Sequence, residues 1–459
     1  MSLYILVCWE DTALVTRVVI VRHGESTFNV QRRVQGHFDQ SNLTEAGQAG
    51  AVQVGIALQE LSFAAAYGSP LQRAKETAEL ILSQLGQPPK LQLTDDLKEI
   101  NLVEWEGLHF QEVEERFPES YVCWRDRPHE LKMRSADGTK EFYPVIDLYE
   151  QARRFWQTVL PQHADQTILI VAHSGINRCL IGSALGLGVE YYTALHQSNC
   201  GISVLNFSGG LDQPVQLESM NLTGHLDQPL PSARKNQGVR MLLVRHGETD
   251  WNRQQRFQGQ IDVPLNEQGK VQAQQAADFL QSVPIDRAIT SPLLRPKQTA
   301  TAILQNHPNL SLELEPELQE ISHGLWEGKL ESEIEQGYPG LLQQWQQAPE
   351  TVQMPEGENL QQVWERSTAA WNAIVASTPL GTAERPTTVL VVAHDAVNKA
   401  ILCHVVGQTP AQFWTFKQGN GAVSVIDYPQ GIAGKPVLQA MNITTHLGSV
   451  LDKTAAGAL

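Results

Sequence analysis

The chain has no stretch approaching ~18 uninterrupted apolar residues, so no membrane-spanning helix is expected. It is short of positive charge, with 34 Lys+Arg against 50 Asp+Glu and a net charge of -16. That balance argues against a general binder of nucleic acid or of anionic membranes. Any anion site must therefore be a local cluster of arginines. Cysteine is sparse: Cys8, Cys123, Cys179, Cys200 and Cys403 are scattered and odd in number. A reducing cytoplasm fits this usage better than a disulfide framework. No His/Cys/Asp set has metal-ligand spacing, and no Gly-x-x-x-x-Gly-Lys loop is present. The apolar Tyr4–Trp9 lacks a basic segment before it and runs into Glu10 and Asp11, so a secretory signal is not expected. Residues 1–16 read as an N-terminal extension or an extra edge strand.

What the chain does have is a duplication. Arg17-Val-Val-Ile-Val-Arg-His-Gly-Glu25 near the start is echoed by Met241-Leu-Leu-Val-Arg-His-Gly-Glu248. Arg22, His23, Asn29, Gly36 and Asp39 recur as Arg245, His246, Asn252, Gly259 and Asp262. Ser69, Pro70, Arg73 and Thr77 recur as Ser291, Pro292, Arg295 and Thr299. Glu99, Trp105, Gly107, His173, Asn177 and Asn199 recur as Glu320, Trp326, Gly328, His394, Asn398 and Asn420. The period is far too long for a solenoid. At 459 residues the chain is also too long for one ordinary core. Two complete domains are expected, over residues 17–228 and 240–450. A polar, proline-bearing linker separates them at 229–239, and a flexible tail covers 451–459.

Within one copy, strand and helix patterns alternate. Val18–Val21 and Thr167–Ala172 are β-branched apolar runs that read as buried strands. Ala64–Tyr67 is a shorter strand. Thr44 caps a helical run to about Leu58, a second helix follows Ser69-Pro70 as far as Leu82, and a third opens near Gly175. This alternation predicts a three-layer α/β/α domain with a mostly parallel central sheet, present twice. Sites in such sheets lie at the carboxyl ends of the strands, where Arg22-His23 and His173 both fall.

Each copy thus repeats two arginines, two histidines, a glutamate and an asparagine. Arginine forks bind phosphate oxygens bidentately. A neutral imidazole is a good nucleophile, and a second histidine, if protonated, can donate to a phosphoryl oxygen. A glutamate can protonate a leaving oxygen and later take a proton from water. The helix opening near Gly175 is expected to aim its amino end at the same anion. Singly, Arg73, Glu99 and Asn29 read as ordinary surface or structural residues, and Trp105 and Trp326 as core. Recurring together, in one order, the polar set reads as a phosphoryl-transfer site.

Arg-His-Gly-Glu at a strand end, Ser-Pro-Leu-x-Arg followed by Thr-Ala, Leu-x-Glu-Ile with Trp-Glu-Gly, and Val-Ala-His before a helix resemble the histidine phosphatase superfamily, in its phosphoglycerate mutase-like branch. The resemblance covers nearly the whole chain. It implies a phosphohistidine on His23 and on His246. It implies phosphate pockets from Arg22, Asn29, Arg73 and His173, and from Arg245, Asn252, Arg295 and His394. Glu99 and Glu320 fall on the family's proton donor. Metal and organic cofactors are not implied, and the partner would be a small phosphorylated metabolite.

The copies differ beside the glutamate: domain two has Gly324 where domain one has Val103, and Trp251 where domain one has Phe28. If that glycine needs a positive φ, valine would distort the loop. The short segment from Ile100 to Ala172 favours hydrolysis over a mutase, which would need a closed, water-free site. A non-catalytic phospho-ligand binder is the lesser alternative. A phosphoserine or a sugar-acid phosphate such as 2-carboxyarabinitol 1-phosphate suits the reading. Arg32, Arg33, Gln35 and residues 118–145, with Arg253, Arg256, Gln258 and residues 338–358, are candidates for the distal pocket.

Overall fold

The structure, a computed structural model, describes residues 15–228, 230–232 and 238–454. Most of the expected N-terminal extension, much of the linker and the end of the tail lie outside the described residues. The described chain forms two compact units that part at residue 229.

In domain one, six strands form the sheet: β1 (Thr16–Arg22), β2 (Ala65–Gly68), β3 (Leu91–Leu93), β4 (Thr167–Ala172), β5 (Ile202–Phe207) and β6 (Val215–Leu222). Their order is β3-β2-β4-β1-β5-β6, with the first four parallel and the last two antiparallel. The centre is apolar on both faces: Val18 to Val21 and Ile168 to Ala172 are all fully buried. Both faces must therefore be covered by helices, which is the role of the crossovers between parallel strands. Helix α1 (Glu45–Ala57) packs on α2 (Gln72–Leu82), and α3 (Pro144–Val159) packs on α4 (Ser174–Ala184). Thr44 caps α1 by accepting from the Gly47 amide.

Domain two repeats this plan. Its strands are β7 (Val239–Arg245), β8 (Arg287–Thr290), β9 (Leu312–Leu314), β10 (Thr387–Ala393), β11 (Val423–Ile432) and β12 (Val437–Ile443), in the order β9-β8-β10-β7-β11-β12. Its helices pair as α5 (Glu267–Leu280) on α6 (Leu294–Leu304) and α7 (Leu360–Ser377) on α8 (Asp395–Val405). The expected α/β architecture with a mostly parallel sheet is present in both copies. Among the described residues no helix is long and apolar enough to cross a membrane.

Register matters most for function. Arg22 lies opposite Ala172, and Arg245 opposite Ala393, in parallel pairings. Both central strands of each domain thus end at one level, and the next residue of each is a histidine.

Candidate active site

Side-by-side strand ends bring the two histidines of each domain together. The His23 amide donates to the Ala172 carbonyl, and the His23 and His173 rings meet edge to face with centroids 5.1 Å apart. In domain two the rings of His246 and His394 are 5.2 Å apart in the same arrangement. Gly24 follows His23 because nothing larger fits: a Cβ there would lie 2.3 Å from the Gly47 carbonyl oxygen.

The first histidine's tautomer follows from its partner. His23 Nδ1 lies 2.7 Å from the Gly24 carbonyl, which only accepts, so Nδ1 carries the proton and Nε2 a lone pair. His246 repeats this bond to Gly247 at 2.7 Å, and Arg295 Nε donates to its Nε2 at 3.2 Å. Burial, reinforced by Arg22 and Arg73, holds His23 well below the ordinary histidine range. Burial with Arg295 and Arg245 does the same to His246. Both imidazoles are therefore neutral at pH 7, the form that has a nucleophilic lone pair.

The second histidine does not meet the condition of being protonated. Burial and Arg73 hold His173 well below its usual range, and burial and Arg295 do the same to His394, so neither is protonated in the free protein. Nε2 of His173 meets the Ser69 hydroxyl at 2.8 Å, and Nε2 of His394 meets Ser291 at 2.8 Å. That hydroxyl can donate to or accept from the ring, and Nδ1 is buried and without a partner in both rings. A neutral N–H can still donate to a phosphoryl oxygen.

Arginines complete the ring of donors. Arg73 and Arg295 are fully buried, and burial lowers Arg295 to about 10. Their guanidiniums are anchored by the Gly36 carbonyl at 2.9 Å and the Gly259 carbonyl at 2.7 Å. The Trp-Glu-Gly glutamate fixes that loop: Glu106 accepts from the His37 amide at 2.6 Å, and Glu327 from the Gln260 amide at 2.9 Å. Arg22 and Arg245 hold the Gln197 and Gln418 carbonyls. Asn29 and Asn252 are tied by their side-chain oxygens to the helix-capping Ser26 and Thr249 and to Asn199 and Asn420. In domain two a small cavity is lined by Arg245, His246, Asn252, Gln258, Gly259, Arg295, Glu320 and His323.

The amino end of α4 is not free for phosphate, contrary to the sequence reading. Its Gly175 and Ile176 amides donate to the Glu99 carboxylate at 3.1 and 3.2 Å. Glu320 receives the Ile321 amide at 3.0 Å and, more weakly, Ala396 at 3.4 Å. Burial and the nearby Asp395 raise the Glu320 carboxyl above the ordinary glutamate range.

Domain two carries a buried ion cluster that domain one lacks. Asp395 lies 3.3 Å from Arg245 and 2.7 Å from Lys399, all three under 10% exposed. Its counterparts in domain one are Ser174 and Arg178, and Arg22, Ser174 and Arg178 are all part-exposed. The loop after the glutamate also differs. Gly324 has φ +54 and opens a 3-10 turn, and a Cβ there would lie 2.1 Å from the Pro355 carbonyl oxygen. Val103 avoids positive φ, and domain one makes a plain turn instead.

Sequence reasoning missed several supporting residues. Ser69, Thr77 and Asn199 were visible as repeats but had no assigned chemistry. Thr77 accepts from the Gly24 amide, and Asn199 bonds the His23 carbonyl. Asp395 differs between copies, so repetition could not flag it. Of the distal candidates, Gln258 joins the cavity. Arg33 and Arg256 instead brace the Gly107 and Gly328 carbonyls, and Arg253 pairs with Glu248.

Known proteins share this arrangement. The family model described as "Histidine phosphatase superfamily (branch 1)" matches residues 18–220 and again 241–444. The 2-carboxy-D-arabinitol-1-phosphatase of Triticum aestivum is 33% identical over 94% of this chain and 86% of its own length. A probable 2-carboxy-D-arabinitol-1-phosphatase of Arabidopsis thaliana is 31% identical over 94% and 88%. Phosphoserine phosphatase 1 of Hydrogenobacter thermophilus is 34% identical over 46% of this chain and 95% of its own. The chain therefore belongs to the histidine phosphatase superfamily, carries its domain twice in tandem, and is a phosphatase.

Proposed function

We propose that each domain hydrolyses small phosphomonoesters through a phosphohistidine, without a metal. The observation that carries this reading is the first histidine's Nδ1 bond to the following carbonyl, which leaves Nε2 as a lone pair among buried arginines. Nε2 of His23 or His246 attacks phosphorus in line, the P–N bond forms, and the ester P–O bond breaks. Arg22, Arg73, Asn29 and His173, or Arg245, Arg295, Asn252 and His394, bind the phosphoryl oxygens as charge shifts onto them. Glu99 or Glu320 gives its proton to the departing oxygen. Water then attacks phosphorus, the glutamate takes a proton back, the P–N bond breaks and phosphate leaves. The raised proton affinity of Glu320 supports its role as an acid near neutral pH.

The substrate class is a carboxylated phosphomonoester, by likeness to relatives named for 2-carboxyarabinitol 1-phosphate and phosphoserine. A reducing cytoplasmic setting belongs to the same proposal, supported by Cys123, Cys179, Cys200 and Cys403 being free thiols. Labelled phosphoenzyme should be trapped in the unmodified protein, survive in His23→Ala and in His246→Ala, and vanish in the double variant. Loss of all label in His246→Ala alone would show domain one to be inert. Efficient isomerisation of 3-phosphoglycerate would favour a mutase instead.

A further inference from the structure

Domain two contains, within its own fold, a carboxylate seated between two cations of the site. Asp395 Oδ1 is 3.3 Å from Arg245, and Oδ2 is 2.7 Å from Lys399. Domain one keeps both cations, as Arg22 and Arg178, but has only the short Ser174 hydroxyl at the position of the carboxylate. The two cations stay near each other, since Arg178 is among the charges that act on Arg22. Among the described residues no acidic side chain forms an ion pair with either, and Glu99 is the strongest charge acting on Arg22. Arg22 bonds the Gln197 carbonyl, and Arg178 stacks on the Tyr192 ring at 5.5 Å. The Nε of each is buried without a partner, as is the Nε of Arg245 in domain two, so the contrast lies in the carboxylate alone. Burial follows the same contrast: Arg245, Asp395 and Lys399 are buried, whereas Arg22, Ser174 and Arg178 are open to solvent in part.

We infer that Arg22 and Arg178 of domain one form a carboxylate subsite beside the phosphate pocket, and that in domain two Asp395 fills the same subsite from within. Domain one would then select phosphomonoesters with a carboxylate near the ester. Domain two would be indifferent to that group. Tyr192 has a positioning part: its ring carries the Arg178 guanidinium, and Trp124 packs against it at 5.9 Å. Phe413 replaces Tyr192 in domain two, where Lys399 already has its carboxylate.

The inference rests on the phosphatase reading for its catalytic readout, so the test has a binding arm as well. The probes are 3-phosphoglycerate and glycerol 3-phosphate, which differ by a carboxylate. In His246→Ala protein, where only domain one turns over, kcat/KM should favour 3-phosphoglycerate. Arg178→Gln should cut that preference about tenfold or more, through KM, with the glycerol 3-phosphate rate nearly unchanged. Arg178→Lys should keep part of it, and Ser174→Asp, which copies domain two, should abolish it. In His23→Ala protein the two probes should react alike. Titration calorimetry of the same probes into the His23→Ala/His246→Ala double variant, with and without Arg178→Gln, reads the subsite without turnover. Equal loss for both probes in Arg178→Gln, or no change in their ratio by either method, would overturn the subsite. Absence of hydrolysis of both probes by unmodified protein, with the calorimetric difference intact, would overturn the phosphatase reading alone.

Discussion

The two domains share a fold and an inner ring of groups, and they differ in the layer just behind it. In domain one Ser174 and Arg178 stand at the positions of Asp395 and Lys399 and are part-exposed, and Glu99 is held by two amides of α4. In domain two Arg245 and Lys399 close on Asp395, and Glu320 sits buried beside that charge. A duplicated site can thus keep its chemistry while its electrostatics diverge. The first residue of a helix, Ser174 in one copy and Asp395 in the other, is where the carboxylate enters, and Arg178 and Tyr192 change with it to Lys399 and Phe413. Burying such a cluster is costly unless every charge is paired, which is why Asp395 touches both cations.

The largest effect should come from opening the cluster. Asp395→Ala leaves Arg245 and Lys399 buried and unpaired, and should destabilise domain two by about 3–5 kcal/mol. Urea unfolding followed by domain-specific hydrogen exchange reads this, and an unchanged domain two would mean that the cluster contributes little. The milder Asp395→Asn removes one cause of the raised Glu320 proton affinity. The alkaline limb of domain-two kcat/KM, measured in His23→Ala protein, should then move to lower pH, because the acid must be protonated to act.

Next is the loop beside the glutamate. Gly324→Val would force a β-branched residue to φ +54 against the Pro355 carbonyl. That should cost domain two roughly 3 kcal/mol. Val103→Gly in domain one should change stability by only about 1 kcal/mol. Equal effects of the two changes would break the contrast.

Acid separates the domains further. Burial lowers His246, His323, His394, His404 and His446 in domain two, against His23, His173 and His225 in domain one. An unfolded chain takes protons on these groups below its histidine pKa of ~6.5, while the folded one does not. Stability is therefore present above that pH and is lost as pH falls through it. Domain two should lose more between pH 7 and 5, read as faster exchange of its core amides.

The smallest expected effect concerns the chain end. Asp452 accepts from Asn442 Nδ2 at 3.2 Å and from Thr454, whose hydroxyl takes the Asn420 amide at 3.1 Å. Domain one uses the Ser198 hydroxyl on Asn221 for the same purpose. Asp452→Ala removes the bonds to Asn442 and Thr454 and the pairing with Lys417, and should lower domain-two kcat/KM about tenfold through the Asn420 loop. No change would show that the loop holds without its strap.

Much of this was legible in the chain. β-branched runs that stop at Arg-His mark buried parallel strands with a site at their ends, and repetition singled out the inner ring. The support behind that ring was less legible. The hydroxyls of Ser69 and Ser291 acquire meaning only when a histidine 104 or 103 residues away lies against them.

Sequence by itself determined the duplication, the strand–helix order and the identity of the groups around each candidate site, because local patterning and repetition are written in one dimension. Tertiary structure alone decided the protonation of those groups. The tautomer of His23 depends on the carbonyl its ring meets, and the amino end of α4 goes to Glu99 because the fold packs that loop against it. Proton affinity and charge balance depend on burial and distance, and these arise only when distant segments come together.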